Sequence, residues 1–280
     1  MTYHAPTTLA DALCAVRAPG ARILAGGTDF YPALGERPVD FDIVDISRLE
    51  ALRTIETARD GAVRIGACAT WSDVARAALP PHFSALQAAA REVGSIQIQN
   101  TATLAGNLCN ASPAADGVPP LLALDAAVEI AGQNGTRRLP LAEFITGVRR
   151  TMLGEGEIVS AIHVPPQPDG TRSAFLKLGA RRYLVISIAM VAVTLVPEAG
   201  RIAAARVAVG ACSAVARRLG ALEEALAGAP LAEAAALVAP AHLAALSPID
   251  DIRATAAYRA EAAAEIVCRA ITAAARECMA

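Results

Sequence analysis

The stretch TATLAGNLCNASPAAD, Thr101 to Asp116, gathers Asn107, Asn110, Ser112 and Asp116 around a glycine turn in a chain that is otherwise 54% hydrophobic. Its Gly, Asn, Ser and Pro content predicts a loop rather than a regular element. Compact amides, hydroxyls and a carboxylate at short spacing suit the hydroxyls of a polyol, because each offers a donor or acceptor at small entropic cost. The same residues are ordinary turn formers bonding local backbone, so that reading stays open for the stretch alone. A second stretch, ILAGGTDF from Ile23 to Phe30, adds weight. It reads as a short buried strand running into two glycines whose bare backbone leaves amides available. Such amides, next to a helix N-terminus, form an uncharged anion site suited to a diphosphate. Thr28 can add a hydroxyl donor, and Asp29 is expected to cap the helix that begins at FYPAL. A lone Gly-Gly is equally a tight turn chosen for its φ angles; the two stretches together point to a ligand.

Composition narrows the classes. The chain has 280 residues, enough for one or two domains with a sizeable core. Its 25 basic and 27 acidic residues nearly cancel without any block of like charge, so no field for nucleic acid is expected. The longest strongly apolar run, LVISIAMVAVTLV from Leu184 to Val196, is shorter than the ~20 residues a bilayer span needs and predicts a buried strand. The opening MTYHAPTTLADAL has neither a basic start nor an apolar core, which makes the cytoplasm the expected compartment. Cys14, Cys68, Cys109, Cys212, Cys268 and Cys278 are far apart, form no CxxC pair and are expected as reduced thiols, with no metal site in the chain. No GxGxxG, GxxxxGK[ST] or HExxH occurs, and the four histidines His4, His82, His163 and His242 are scattered. A nucleotide must therefore bind by other means, hydrolytic chemistry has no support, and no catalytic acid or base is assigned.

Along the chain, FDIVDIS and AVRIGACA predict strands, and Ser47 with Glu50 and Thr70 with Asp73 have the spacing of capping boxes. HFSALQAAAREVG predicts a helix closed by Gly94. Further strands are expected at AAVEIAG, EIVSAIHVP, SAFLKLGA and RIAAARVAVGAC. Beyond Ala214 the pattern turns helical, through the Ala-rich PLAEAAALVAPAHLAAL to a long last helix opened by Ser247, Pro248 and Asp250. The class is α+β, with a soft boundary near residue 170 in PPQPDG.

Five blocks in order, ILAGGTDF, RIGACATWSDVA, TATLAGNLCNASPAADGVPPLLALDA, GEIVSAIHVP and AFLKLGARR, together with VAVGACSAVARRLGALEEALAG and PIDDIRATAAYR, give the chain its resemblance to a known family. It resembles the FAD-binding medium subunit of the molybdenum hydroxylases, as in xanthine dehydrogenase and aerobic carbon monoxide dehydrogenase, over nearly its whole length. The resemblance implies a FAD-binding fold of the p-cresol methylhydroxylase type over 1–170, in two subdomains of about 1–58 and 59–170. A C-terminal α+β domain of sheet and helices follows over 171–280.

By the same resemblance Leu24, Ala25, Gly26, Gly27, Thr28, Asp29 and Phe30 lie along the FAD pyrophosphate, and Thr103, Gly106 and Asn107 meet it from the other side. Asn110 and Asp116 bind the ribityl or adenosine end, Ile158 and Val159 wall the adenine side, and Lys177 stands near the flavin. Ala105 departs from the family's usual glycine, keeping the amide while disfavouring positive φ at that turn. Gln99 stands where the family often has Arg, and YLVIS carries no acid where the family has one. The resemblance further implies a heterotrimer, often paired into a dimer of heterotrimers. In it a large molybdopterin subunit and a small [2Fe–2S] subunit deliver electrons to this chain, which passes them to NAD or another acceptor. The rival readings are a stand-alone flavin reductase of the same fold and a flavin-free assembly subunit.

Overall fold

The computed structural model describes all 280 residues. The chain opens with β1 (Tyr3–His4), α1 (Leu9–Ala15), β2 (Arg22–Leu24), α2 (Phe30–Leu34) and β3 (Ile43–Asp45). These strands form a three-stranded parallel sheet in the order β1-β3-β2. The next unit holds β4 (Ile55–Thr57), β5 (Val63–Gly66), α3 (Trp71–Arg76), α4 (Ser84–Glu92), α5 (Ile96–Thr101), α6 (Leu104–Asn110) and α7 (Val118–Ala123). It continues through β6 (Ala127–Gly132), β7 (Gly135–Pro140), α8 (Leu141–Phe144), the hairpin β8 (Ile145–Gly147) and β9 (Arg150–Thr151), and β10 (Ile158–Val164). Five of these strands make an antiparallel sheet, β4-β5-β10-β6-β7. The last unit is a sheet of β11 (Arg172–Leu178), β12 (Ala189–Glu198), β13 (Arg201–Gly210) and β14 (Arg217–Arg218), covered by α9 (Gly220–Leu226) and α10 (Ala256–Met279). The fold is α+β.

Where the cores lie explains the apolar run around Ala189. Ala189, Val191, Val193 and Leu195 face α10, where Ala263, Val267, Ala270 and Ile271 complete one core. The alternate residues Met190 and Ala192, with Phe175 of β11, pack on Ala85 and Ala89 of α4 and Ala123 of α7. A strand covered on both faces needs apolar residues at consecutive positions, not alternating ones. A larger core joins the first two units, with Ala12, Val16 and Val44 of the first buried alongside Trp71, Leu104, Leu108 and Ile158 of the second.

Several elements differ from expectation. The polar stretch is not a loop throughout: Leu104–Asn110 is a helix, because the Thr103 hydroxyl accepts from the Gly106 amide (3.0 Å) and Leu104, Ala105 and Leu108 are buried on one side. Burial and a cap together outweigh the weak helix propensity of Gly and Asn. Ala105 therefore sits in helical backbone, where alanine is better suited than glycine. Ser47 and Glu50 make no capping box; a 3-10 turn at Glu50–Leu52 begins after Leu49, and the Ser47 amide donates instead to Asp45. The Thr70–Asp73 box is present in both directions, at 2.9 and 3.1 Å. Residues Leu184 to Ser187 precede β12 in a connecting loop rather than extending the strand. The Ala-rich segment forms 3-10 turns at Leu231–Leu237 and Pro240–Leu243, and α10 starts not at Ser247 but after Thr255, whose hydroxyl accepts from the Tyr258 amide (3.2 Å).

Candidate cofactor cleft

The parallel order of β2 and β3 ends with the chain leaving the sheet at Leu24, and Ala25 to Asp29 then turn into α2. Gly27 adopts φ +72°, a conformation glycine takes without the Cβ penalty. Gly26 is bare for a different reason. A Cβ there would lie 2.1 Å from the Thr101 carbonyl oxygen and 2.8 Å from the Ala102 Cα, so this glycine lets the first turn press against the α5–α6 junction. That junction is fixed in turn by Trp71 donating to the Ala102 carbonyl (3.1 Å) and Leu104 donating to Ala69 (3.1 Å).

Between the two turns lies a cleft of about 360 Å³, within the range of small-molecule sites. Its polar side is formed by Ala25, Gly26, Gly27, Thr28, Asp29, Thr103, Gly106, Asn107 and Asn110, and its apolar side by Ile23, Phe30, Ala33, Trp71, Val93, Ile98, Ala102 and Cys109. The amides of Ala25 through Asp29 donate to no acceptor within the protein, nor does the Thr28 hydroxyl, nor the side-chain NH₂ of Asn107 or Asn110. Most backbone donors in a folded chain are paired, so an uncommitted row facing a cleft is a donor set for a ligand. The set is neutral, and Asp29 is the one carboxylate among the lining residues. Although it holds the N-cap position of α2, Asp29 makes no side-chain cap bond.

These observations fit FAD. Neutral amides and hydroxyls match a diphosphate and a polyol chain, and an apolar wall that includes the Phe30 ring matches flat rings. Burial alone pushes the Cys109 thiol up to about 12, so it enters the cleft as a small hydrophobe, not a nucleophile.

Of the residues expected from the sequence, Ala25 to Phe30, Thr103, Gly106, Asn107 and Asn110 line the cleft. Leu24, Ile158 and Val159 do not: all three are core residues, at the end of β2 and the start of β10. Asp116 and Lys177 lie one step behind it. The Lys177 Nζ donates to Asp116 Oδ2 at 2.7 Å, and the Ser187 hydroxyl to Asp116 Oδ1 at 2.6 Å. The Asp116 side chain is 10% exposed and that of Lys177 4%. Burial raises the Asp116 carboxyl above the usual range despite the Lys177 ammonium and the Ser187 bond. Contact with the cleft is indirect, because Asn107 Oδ1 accepts from the amide of Gly117 (3.2 Å) and Lys177 reaches the carbonyl of Glu92, the neighbour of Val93 (3.5 Å).

Sequence reasoning missed Trp71, Val93, Ile98 and Cys109. The signal available for Trp71 was its place one residue after the cap Thr70, in the block RIGACATWSDVA.

The chain has relatives among known proteins. Residues 1–167 match the FAD binding domain in molybdopterin dehydrogenase, and 174–274 the CO dehydrogenase flavoprotein C-terminal domain. The xanthine dehydrogenase FAD-binding subunit of Escherichia coli O157:H7 is 40% identical over 190 residues, 66% of this chain and 65% of that protein. The chain thus matches just under two thirds of that relative's length. The carbon monoxide dehydrogenase medium chain of Hydrogenophaga pseudoflava is 30% identical over 99% of this chain and 97% of its own. A solved carbon monoxide dehydrogenase from H. pseudoflava, lacking the Mo-pyranopterin moiety of its cofactor, superposes with a TM-score of 0.89 at 29% identity, covering 99% of this chain and 98% of the other. With an FAD binding domain followed by a C-terminal domain of the matching type, the chain belongs to the molybdenum hydroxylase family, as an FAD-binding medium subunit.

Proposed function

We propose that this chain holds FAD between its two turns and serves as the electron outlet of a molybdenum hydroxylase complex. The observation that carries the reading is the row of uncommitted amides from Ala25 to Asp29 facing Thr103, Gly106 and Asn107. Those amides would hold the diphosphate, Thr28, Asn107 and Asn110 its hydroxyl-bearing neighbours, and Phe30 and the apolar wall the rings. Leu24, Ile158 and Val159 support the cleft from the core, and Asp116 with Lys177 carries a compensated charge behind it. When bound, FAD supplies two-electron acceptance coupled to one-electron release, chemistry its ring carries and the chain does not.

The chain brings together no group of three or more His, Cys, Asp or Glu side chains that could hold a metal ion. Likeness to medium chains of dehydrogenase complexes supports a division of labour in which a large molybdopterin subunit oxidises the substrate and a small subunit with [2Fe–2S] clusters relays electrons here, for delivery to NAD or another acceptor. Two such heterotrimers pairing in the cytoplasm complete the reading. No helix is long and apolar enough to cross a membrane.

The test is flavin stoichiometry in the purified full chain. One FAD per chain is expected, and Ala25→Phe, which fills the cleft, should abolish it while leaving the circular dichroism unchanged. Full flavin content in Ala25→Phe would refute the cleft. Co-expression with molybdopterin and [2Fe–2S] subunits should yield a complex in which substrate reduces the bound flavin.

A further inference from the structure

The cleft has a charge deficit. A diphosphate is a dianion, the donors lining the site are neutral, and the one ionised group among the lining residues is the like-charged Asp29. Neutral amides suffice for binding, but a cation nearby strengthens it and draws the ligand in.

A cation stands at one edge. Arg149 forms the β8–β9 turn with Val148, and its guanidinium Nη1 donates to both the main-chain oxygen (3.2 Å) and the side-chain Oδ1 of Asn110, which lines the cleft. The position is imposed by backbone. The Arg149 amide donates to the Ala111 carbonyl at 2.9 Å, and both residues hold positive φ, +57° and +46°. Left-handed backbone at two residues other than glycine is a strained way to make a turn, and such strain concentrates where a side chain must be aimed. The side chain is exposed and paired with no carboxylate, unlike Arg137, Arg206, Arg218 and Arg259. Its neighbour Arg150 is equally exposed but makes no bond to Asn110.

We propose that Arg149 is the cationic member of the FAD site: the β8–β9 turn presents its guanidinium at Asn110, on the edge of the cleft, where its field acts on the cofactor's diphosphate, itself bound elsewhere in the cleft through uncharged donors. This rests on the reading of the cleft given above. The bland role for the same contact is to cap the last carbonyl of α6, and the two roles differ in what a neutral donor can replace.

The experiment titrates FAD into the flavin-stripped full chain, following flavin fluorescence at low and high salt. Arg149→Gln keeps a donor for Asn110 and loses the charge. It should raise the Kd for FAD about fivefold to tenfold at low salt and make the Kd less salt-dependent, while Arg149→Lys recovers most of the affinity. Arg150→Gln, which removes a neighbouring charge of no assigned role, should match the parent. An unchanged Kd in Arg149→Gln, or a weaker one with the parent's salt dependence, overturns the proposal. Ala25→Phe, run alongside, separates the two failures. If it still binds FAD the cleft itself is wrong; if it does not and Arg149→Gln binds normally, only the role of Arg149 falls.

Discussion

Gly26 shows how a correct pattern can hide its cause. Two glycines after a buried strand predict backbone laid bare for a ligand, yet the missing side chain of Gly26 makes room for the Thr101 carbonyl 2.1 Å from where a Cβ would stand. The donors offered to a ligand come from the whole turn, not from the glycine's own bare face. Gly26→Ala should therefore pry the two turns apart, lowering both the melting temperature and FAD content. Thr28→Val should leave the melting temperature where it is, since that hydroxyl bonds nothing in the protein, and weaken FAD by about 1 kcal/mol. Equal loss of stability in both variants would contradict this division. The pairing of Asp116 with Lys177 was not readable in advance. The two are 61 positions apart, and the resemblance assigns each to the ligand and not to the other.

The helix Leu104–Asn110 and the opening of α10 mark where local pattern lost to context. LAGNLCN has the composition of a turn, but its three buried residues and the Thr103 cap make it a helix. At the other end, Ser-Pro-x-Asp imitates a helix start. There the Ser247 amide is bonded to the Cys212 carbonyl and the Ser213 hydroxyl, and the helix begins only after Thr255. Strands were read more easily, because β6, β10 and β13 carry short runs of buried Val, Ile and Ala, and β11 buries Phe175. Thr103→Ala and Thr255→Ala should each cost about 1 kcal/mol in urea unfolding, whereas Ser247→Ala should cost almost nothing. A Ser247 effect as large as that of Thr255 would restore the earlier start of the helix.

The three sheets are held to one another by contacts that join distant parts of the chain. Chief among the polar ones is the Lys177–Asp116 pair with Ser187 on its second oxygen, which ties β11 and the loop before β12 to the turn ahead of α7. A buried pair is sensitive to losing one partner and tolerant of losing both. Asp116→Ala should thus destabilise by about 3–5 kcal/mol in urea unfolding by stranding the ammonium, and Asp116→Leu combined with Lys177→Met should recover most of it. If the double variant is as unstable as the single, packing and not charge governs the site. The order of the sequence blocks made the succession of domains readable, but no spacing rule revealed which of their surfaces touch.

Because β12 lends one row of side chains to α10 and the opposite row to α4 and α7, neither part of the chain owns its hydrophobic interior outright. A gene severed near residue 170 would yield fragments that each display a greasy flank, and they would stay in solution only when made together and allowed to reassociate.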